Sequence, residues 1–294
     1  MYRCSSVRQT CILMPVEPFN FNIADERPIE YGLWDADVPC YRCNWLDITE
    51  RTTLTEDRTL RFRPALDTNI ELEVSVVYYR AGYAAKDYDQ AGQTVRLTLE
   101  LSRAIKCPDV LTHLTTFKVV QQALTQPDVV ERFLPLESVA TVRQTFVPML
   151  PLDASPAGLS ARKIAMDPKQ AVNYVLKPNL EGGGNNVYRS DIPSFLATVP
   201  PEHWHKFILM RLIDTPSHTQ GSLMLPGELY RGPVVSELGI LGACIWRKKG
   251  TREGRLEVLK NDVAGWTFKT KPRDVDEMSV VKGHGCFDCP LLEG

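Results

Sequence analysis

The sequence predicts a mixed α/β and α+β protein, with a parallel α/β layer domain first and an antiparallel, nucleotide-binding sheet region after it. Three observations predict it. Short apolar runs alternate with amphipathic stretches from Cys11 to Asp109, the strand, helix, strand rhythm of a parallel layer. Longer β-rich runs follow Pro168. Between them, Lys177 to Asn186 (Lys-Pro-Asn-Leu-Glu-Gly-Gly-Gly-Asn-Asn) sets a glycine run directly behind an apolar strand.

In chain order, Cys11–Met14 reads as a strand, Glu26–Trp34 as a helix by its apolar spacing, and Val38–Trp45 as a short strand. Leu72–Tyr79 is the next strand, Thr94–Leu101 a helix and Ala104-Ile105 a brief strand. Asp109 can cap a helix that starts near Val110, and Phe117–Leu124 keeps helical periodicity up to Thr125-Gln126-Pro127. A boundary near residue 114 divides the chain into residues 1–114, a substrate-binding α/β domain, and 115–294, the nucleotide-binding region. Pro148–Pro156, with several prolines and no periodicity, reads as a surface connection. Val172–Lys177 and Phe207–Ile213 are strands flanking the loop, and Pro233–Cys244 belongs to an antiparallel sheet that can clamp a nucleotide against a second layer.

The 294 residues are 44% hydrophobic and 24% charged, enough for one large or two modest domains with buried cores. Lys+Arg 34 against Asp+Glu 36 gives a formal net charge of -2, which argues against a nucleic-acid partner. The early apolar run Cys11–Pro15 is too short for a membrane span or a signal core, so the expected location is cytoplasmic with no membrane partner. The 8 cysteines are expected free in a reducing compartment. Cys40/Cys43 and Cys286/Cys289 share the Cys-x-x-Cys spacing but lack a histidine beside them, and residues three apart on a strand face opposite sides, so a structural role is expected. His203 and His205 around Trp204 read as a solvated loop.

The chemistry concentrates in the glycine loop. Gly182, Gly183 and Gly184 lack side chains, so their N–H groups can approach phosphate oxygens, and Lys177 supplies a point charge to the same oxygens. Glu181 places a hard carboxylate for magnesium, Asn185 and Asn186 add amide oxygens, and Tyr188 follows. Glu237, on a later strand, reads as buried.

Four dispersed segments then resemble eukaryotic glutathione synthetase: Ala104–Asp109 with Lys118-Val119-Val120-Gln121-Gln122, Tyr174-Val175-Leu176-Lys177 with its loop to Tyr188, and Ser236–Gly242. Val76–Tyr88 matches the family's substrate-domain motif, and the likeness extends from about Cys11 to Leu291. The resemblance implies an ATP-grasp fold and an ATP- and Mg2+-dependent ligase that phosphorylates the cysteinyl carboxylate of γ-glutamylcysteine and lets the amine of glycine attack the acyl phosphate. It implies that Lys118, Lys177 and Glu181 act in catalysis, with Glu181 on the metal. Val175, Met210, Ile213, Glu237, Lys271 and Glu277 join the glycine loop in the nucleotide site, while Arg80, Tyr83, Lys269, Val280 and Val281 hold the peptide substrate or an analogue. A homodimer is the implied assembly.

The sequence also departs from the family. Its Glu-Ile-Asn-Thr-Ile-Ser motif, which carries magnesium ligands, is not found here. Met278-Ser279-Val280-Val281-Lys282-Gly283 stands where the family has Gly-Gly-Val-Ala-Ala-Gly, and Lys269 replaces an arginine that pairs with a substrate carboxylate. Leu180, Thr116 and Arg211 replace an arginine, a glycine and a glutamate. Besides the ligase, these departures leave open a non-catalytic homologue that binds ATP or partners a full-length subunit, and an incomplete gene model.

Overall fold

The computed structural model describes residues 9–19, 22–180, 184–216, 219–249 and 255–290. Its first sheet contains β1 (Thr10–Pro15), β2 (Cys40–Cys43), β3 (Thr52–Leu54), β4 (Leu60–Phe62), β5 (Leu72–Tyr78) and β6 (Ile105–Cys107). The helices α1 (Ile23–Asp35), α2 (Trp45–Arg51) and α3 (Gln90–Leu101) follow β1, β2 and β5 respectively. β1 pairs in parallel with β2 and β5, and β5 with β6, which is the predicted layer. One side corrects the expectation of a purely parallel sheet: β3 and β4 form an antiparallel hairpin, and β4 runs antiparallel to β5. The connection between them is too short for a crossover, and Thr55, Asp57 and Thr59 close it with hydrogen bonds of 2.5 Å and 3.0 Å to Asp57.

Strand alternation distributes the core. Cys11, Leu13, Cys43, Val74, Val77 and Leu99 pack on one side of this sheet, and Met14, Val16 and Cys40 on the other. The two cysteines of the first pair are therefore buried on opposite faces, and burial pushes both thiols up to about 12. They are packing residues, and the described cysteines are all free. β2 ends at Cys43 rather than Trp45 because Asn44 starts a helix: its side chain accepts from Asp47 N at 2.9 Å, and Asp47 accepts from Asn44 N at 3.2 Å.

The next part begins with α4 (Val110–Leu114), capped as expected by Asp109, whose carboxylate accepts from Thr112 N at 2.7 Å. It continues through α5 (Lys118–Thr125), α6 (Leu136–Arg143), β7 (Met149–Pro151), α7 (Pro156–Met166), α8 (Pro168–Ala171), β8 (Tyr174–Pro178), β9 (Val187–Tyr188), α9 (Asp191–Ala197) and β10 (Phe207–Arg211). The strands form an antiparallel sheet in the order β7-β10-β8-β9. Pro148–Pro156 is thus no simple surface connection, since it contains β7 and the buried Leu152. β7 is an edge strand, where a proline leaves no ladder bond unmade. His203 and His205 lie in a short 3-10 helix, Pro201–Lys206, that buries Trp204 beside the same core. β8 starts at Tyr174, leaving Val172 exposed outside it.

The last sheet orders β11 (Gln220–Leu225), β12 (Glu228–Lys248), β13 (Leu256–Pro272) and β14 (Cys286–Phe287), all antiparallel. β12 and β13 form a long hairpin whose distal part leaves Leu238, Ile240, Leu241 and Trp266 exposed. Glu237 lies on it and is exposed, which corrects its expected burial: an apolar run usually marks a covered strand, but this part of the hairpin is covered on neither face. Among the described residues no helix is long and apolar enough to cross a membrane.

Candidate functional site

The site forms where β8 ends. Lys177 is the last but one residue of β8 and pairs in register with Ile208 of β10. Asn179, two residues on, ties this end to the neighbouring helix: its side-chain oxygen accepts from Val119 N at 2.9 Å, while its own N–H donates to Lys206 O at 2.7 Å. That bond fixes the start of α5 beside β8 and brings Lys118 to Lys177. Burial holds Lys177 below the ordinary lysine value, and the like charge of Lys118 lowers it further. Glu277 and Glu237 pull it back up. Two cations near one partly buried position, neither within ion-pair distance of a carboxylate among the described residues, make a place where an anion is stabilised.

One row of residues crosses three strands: Met210 of β10 pairs with Val175 of β8, which pairs with Tyr188 of β9. Val175 is buried and its two neighbours partly so, giving an apolar strip ending in a phenol. Burial raises the Tyr188 hydroxyl above the usual tyrosine range, and that hydroxyl receives a hydrogen bond from Asn186 Nδ2 at 3.3 Å. Ile213 is exposed beyond the end of β10.

The third wall comes from β13 and the residues after it. Glu237 of β12 stands directly opposite Lys269, and Lys271 lies two residues further along the same face. Burial and Arg189 depress Lys271, against the pull of Asp274 and Glu237. Its ammonium donates to Val275 O. The segment after β13 is joined to the glycine loop from the other side: Glu277 Oε1 accepts from Gly184 N and from Asn186 Nδ2, and Asp276 pairs with Arg189. Gly184 has φ +90, a backbone conformation that glycine adopts without strain. Asn185 is exposed beside it. Glu181, Gly182 and Gly183 lie outside the described residues.

Lys118, Val175, Lys177, Gly184, Asn186, Tyr188, Met210, Glu237, Lys271 and Glu277 therefore belong to one neighbourhood, with Lys269 on its rim. The residues expected to hold substrate divide. Tyr83 lines a cavity of about 460 Å³ together with Tyr88, Arg96, His113, Phe117 and Asn179, so it shares a wall with the glycine loop. Arg80 faces another way, toward α1, 4.0 Å from Glu26 and 3.9 Å from Asp25. Val280 and Val281 sit in the turn after Glu277, where Val281 is exposed. Sequence reasoning missed Asn179, although it stands inside the glycine-loop segment and asparagine is a frequent bonder of neighbouring backbone. It also missed Arg189, whose positive φ of 51 is not marked in the sequence by any glycine.

Among the described residues no group of three or more His, Cys, Asp or Glu is placed to hold a metal. Asn186 offers an amide oxygen at the loop, and magnesium is commonly held by one or two protein ligands with the remaining oxygens from phosphates and water. The donor set fits that mode and not an all-protein cage.

The family model for the eukaryotic glutathione synthase ATP-binding domain matches residues 42–292. The glutathione synthetase large chain of Schizosaccharomyces pombe is 39% identical over 277 residues, 93% of this chain and 53% of that protein. The human glutathione synthetase is 34% identical over 283 residues, 95% of this chain and 56% of its own length. The chain thus spans about half the length of the curated relatives it matches. Among solved structures, a glutathione synthetase-like effector from Globodera pallida in its apo form aligns with a TM-score of 0.62 at 18% identity, over 91% of this chain and 55% of that one, a likeness of fold.

Proposed function

Because the chain belongs to the eukaryotic glutathione synthetase family, with its ATP-grasp architecture, we propose that it binds ATP at the glycine loop and joins the carboxylate of γ-glutamylcysteine, or of a related thiol peptide, to the amine of glycine. One observation carries this reading: the Val119–Asn179 hydrogen bond sets the start of α5, with Lys118, beside the end of β8, with Lys177, and a polyphosphate relieves the repulsion between the two cations. In the proposed reaction the carboxylate oxygen attacks the terminal phosphorus of ATP and ADP leaves. The glycine nitrogen then attacks the acyl carbon, phosphate departs, and the nitrogen loses its proton. Lys118, Lys177 and Lys271 offset the charge of the transferring group, as phosphoryl transfer depends on positioning and electrostatics.

The row Met210, Val175 and Tyr188, extended by Ile213, is the proposed apolar wall for the base, and Glu237 the proposed contact for the nucleotide's polar edge. Tyr83, Lys269, Val280 and Val281 are the proposed peptide contacts. Arg80 joins them only if it leaves Asp25 and Glu26. Magnesium, entering with the triphosphate, would be held by Glu181, and it would supply charge neutralisation at the phosphates. Residues 1–114 serve the peptide and 115–294 the nucleotide in this reading, with a homodimer as the proposed assembly and the cytoplasm as the proposed location.

The test has two parts. ATP-Mg at a hundred times its dissociation constant should stabilise the fold by about 2.7 kcal/mol, seen as a raised unfolding midpoint. ADP release should then depend on the peptide and glycine together. An unchanged midpoint at saturating ATP-Mg refutes the nucleotide site, and ADP release indifferent to both substrates refutes the ligase.

A further inference from the structure

The turn after Glu277 carries a lysine where the family sequence has small residues, and its side chain returns to the glycine loop. A Cβ built on Gly184 would stand 2.8 Å from the Lys282 ammonium. The turn that delivers it is ordered by its own bonds: Ser279 bridges to His284, Gly283 N donates to Val280 O at 3.0 Å, and Lys282 N reaches Ser279 Oγ at 3.4 Å. Gly283, with φ +77, makes the reversal that aims the preceding residue back. Among the described residues no carboxylate lies within 4.0 Å of the Lys282 ammonium, so its position over Gly184 is not explained by an ion pair there. Lys177 and Lys118 approach the loop from β8 and α5, whereas Lys282 approaches it from the segment after β13.

We propose that Lys282 is a phosphate-binding residue of this site, a cation contributed by the 278–284 turn that contacts the polyphosphate of a bound nucleoside triphosphate from another segment than Lys177 does. The proposal rests on the nucleotide reading given above. It makes the turn a specificity element: a ligand that carries several phosphates gains a contact that adenosine cannot make. An ammonium on a phosphate is a charge-assisted bond and acts as a point charge, so arginine should replace lysine with little loss.

The experiment is calorimetric titration of the full chain with ATP-Mg, and with adenosine, in the wild type and in Lys282→Ala, Lys282→Arg and Lys177→Ala. Lys282→Ala should weaken ATP-Mg binding roughly tenfold, leave adenosine binding unchanged, and leave the unliganded unfolding midpoint where it is, because the side chain is exposed. Lys282→Arg should bind ATP-Mg within about threefold of the wild type. If Lys177→Ala loses ATP-Mg affinity while Lys282→Ala does not, the proposal falls and the nucleotide site stands. Equal losses for ATP and adenosine in Lys282→Ala would show a structural role and overturn it as well. A wild type that binds neither ligand removes the nucleotide reading itself, and this inference with it.

Discussion

Glu277 and Gly184 are joined across 93 residues of sequence, the carboxylate of the first accepting the backbone N–H of the second. A glycine-loop amide of this kind is a natural phosphate donor, and here a carboxylate oxygen stands on it. The same carboxylate reaches Asn186 and acts on Lys177. An acidic group thus lies among the positive groups that a polyphosphate needs.

Replacing Glu277 by Gln keeps an oxygen that can accept from Gly184 and removes the charge. Glu277 is partly exposed, so the gain is screened and should be about 0.5–1 kcal/mol, or roughly threefold tighter ATP binding. The gain should shrink as salt is raised. Isothermal titration at two ionic strengths measures both effects, and weaker binding by Glu277→Gln would mean that the carboxylate serves the nucleotide complex instead of opposing it.

The depressed state of Lys177 fixes a pH dependence. Its folded value lies below the ordinary 10.5, chiefly through burial, so between the two values the unfolded chain holds the extra proton. Stability of the unliganded protein therefore rises with pH through that window. ATP binding needs the ammonium and should weaken as pH rises through the same folded value. Lys271 is depressed in the same sense and adds to both trends. Urea unfolding and ATP titration across this range should move in opposite directions, and Lys177→Arg should flatten both curves. Parallel movement would contradict the placement of Lys177 at the phosphates.

The position of Lys177 at the end of a strand before the loop was legible in the sequence because everything that marks it is local: an apolar run, a proline and a glycine run within a dozen residues. Lys282 was not legible as a neighbour of that loop, and Glu277 only through the family resemblance, because only the pairing of β13 with β12 brings them back to it. Two misreadings have the same root. Proline-rich residues around Met149 signalled a loop, yet an edge strand accepts proline because one side of its ladder is unpaired. Apolar residues beside Glu237 signalled burial, yet alternation only reports which residues share a face and cannot report whether anything covers it. The parallel layer was read in outline, since its strands are short apolar runs separated by helices, whereas helix α2 and the β3–β4 hairpin, both too brief to show a period, escaped.

Lys269 and Lys177 should separate substrate from nucleotide. Lys269 stands opposite Glu237 on the rim, whereas Lys177 faces Lys118 at the loop. Lys177→Ala should therefore cost more ATP affinity than Lys269→Ala does. Lys269→Arg should lower KM for the peptide while ATP affinity stays unchanged, because a guanidinium can hold a carboxylate with two parallel bonds. Initial-rate kinetics with each substrate varied in turn make the comparison, and equal loss of ATP affinity in the two alanine variants would contradict the assigned positions.

Arg42 is the stability test, because it answers two carboxylates that α1 turns inward. Its guanidinium lies 3.4 Å from Glu26 and 3.2 Å from Glu30, and Glu26 is 0% exposed. A helix that buries glutamates while exposing Tyr31 and Trp34 needs those charges compensated from the sheet, and β2 supplies the arginine. Arg27 bonds Glu30 at 2.6 Å and Arg80 lies 4.0 Å from Glu26, so compensation would persist in part after Arg42 is lost. Arg42→Met should still destabilise the fold by about 3 kcal/mol, since breaking a buried pair leaves charge without its main partner. Arg247 makes a bond of 2.7 Å to Glu257 on the exposed hairpin, a shorter contact by distance. Arg247→Met should nevertheless cost less than about 1 kcal/mol, because water solvates both groups when the pair is broken. Urea denaturation of the two variants beside the wild type decides between distance and burial as the governing quantity. Equal costs would mean that the Glu26–Glu30–Arg42 group is reached by water and does not anchor α1 to the sheet.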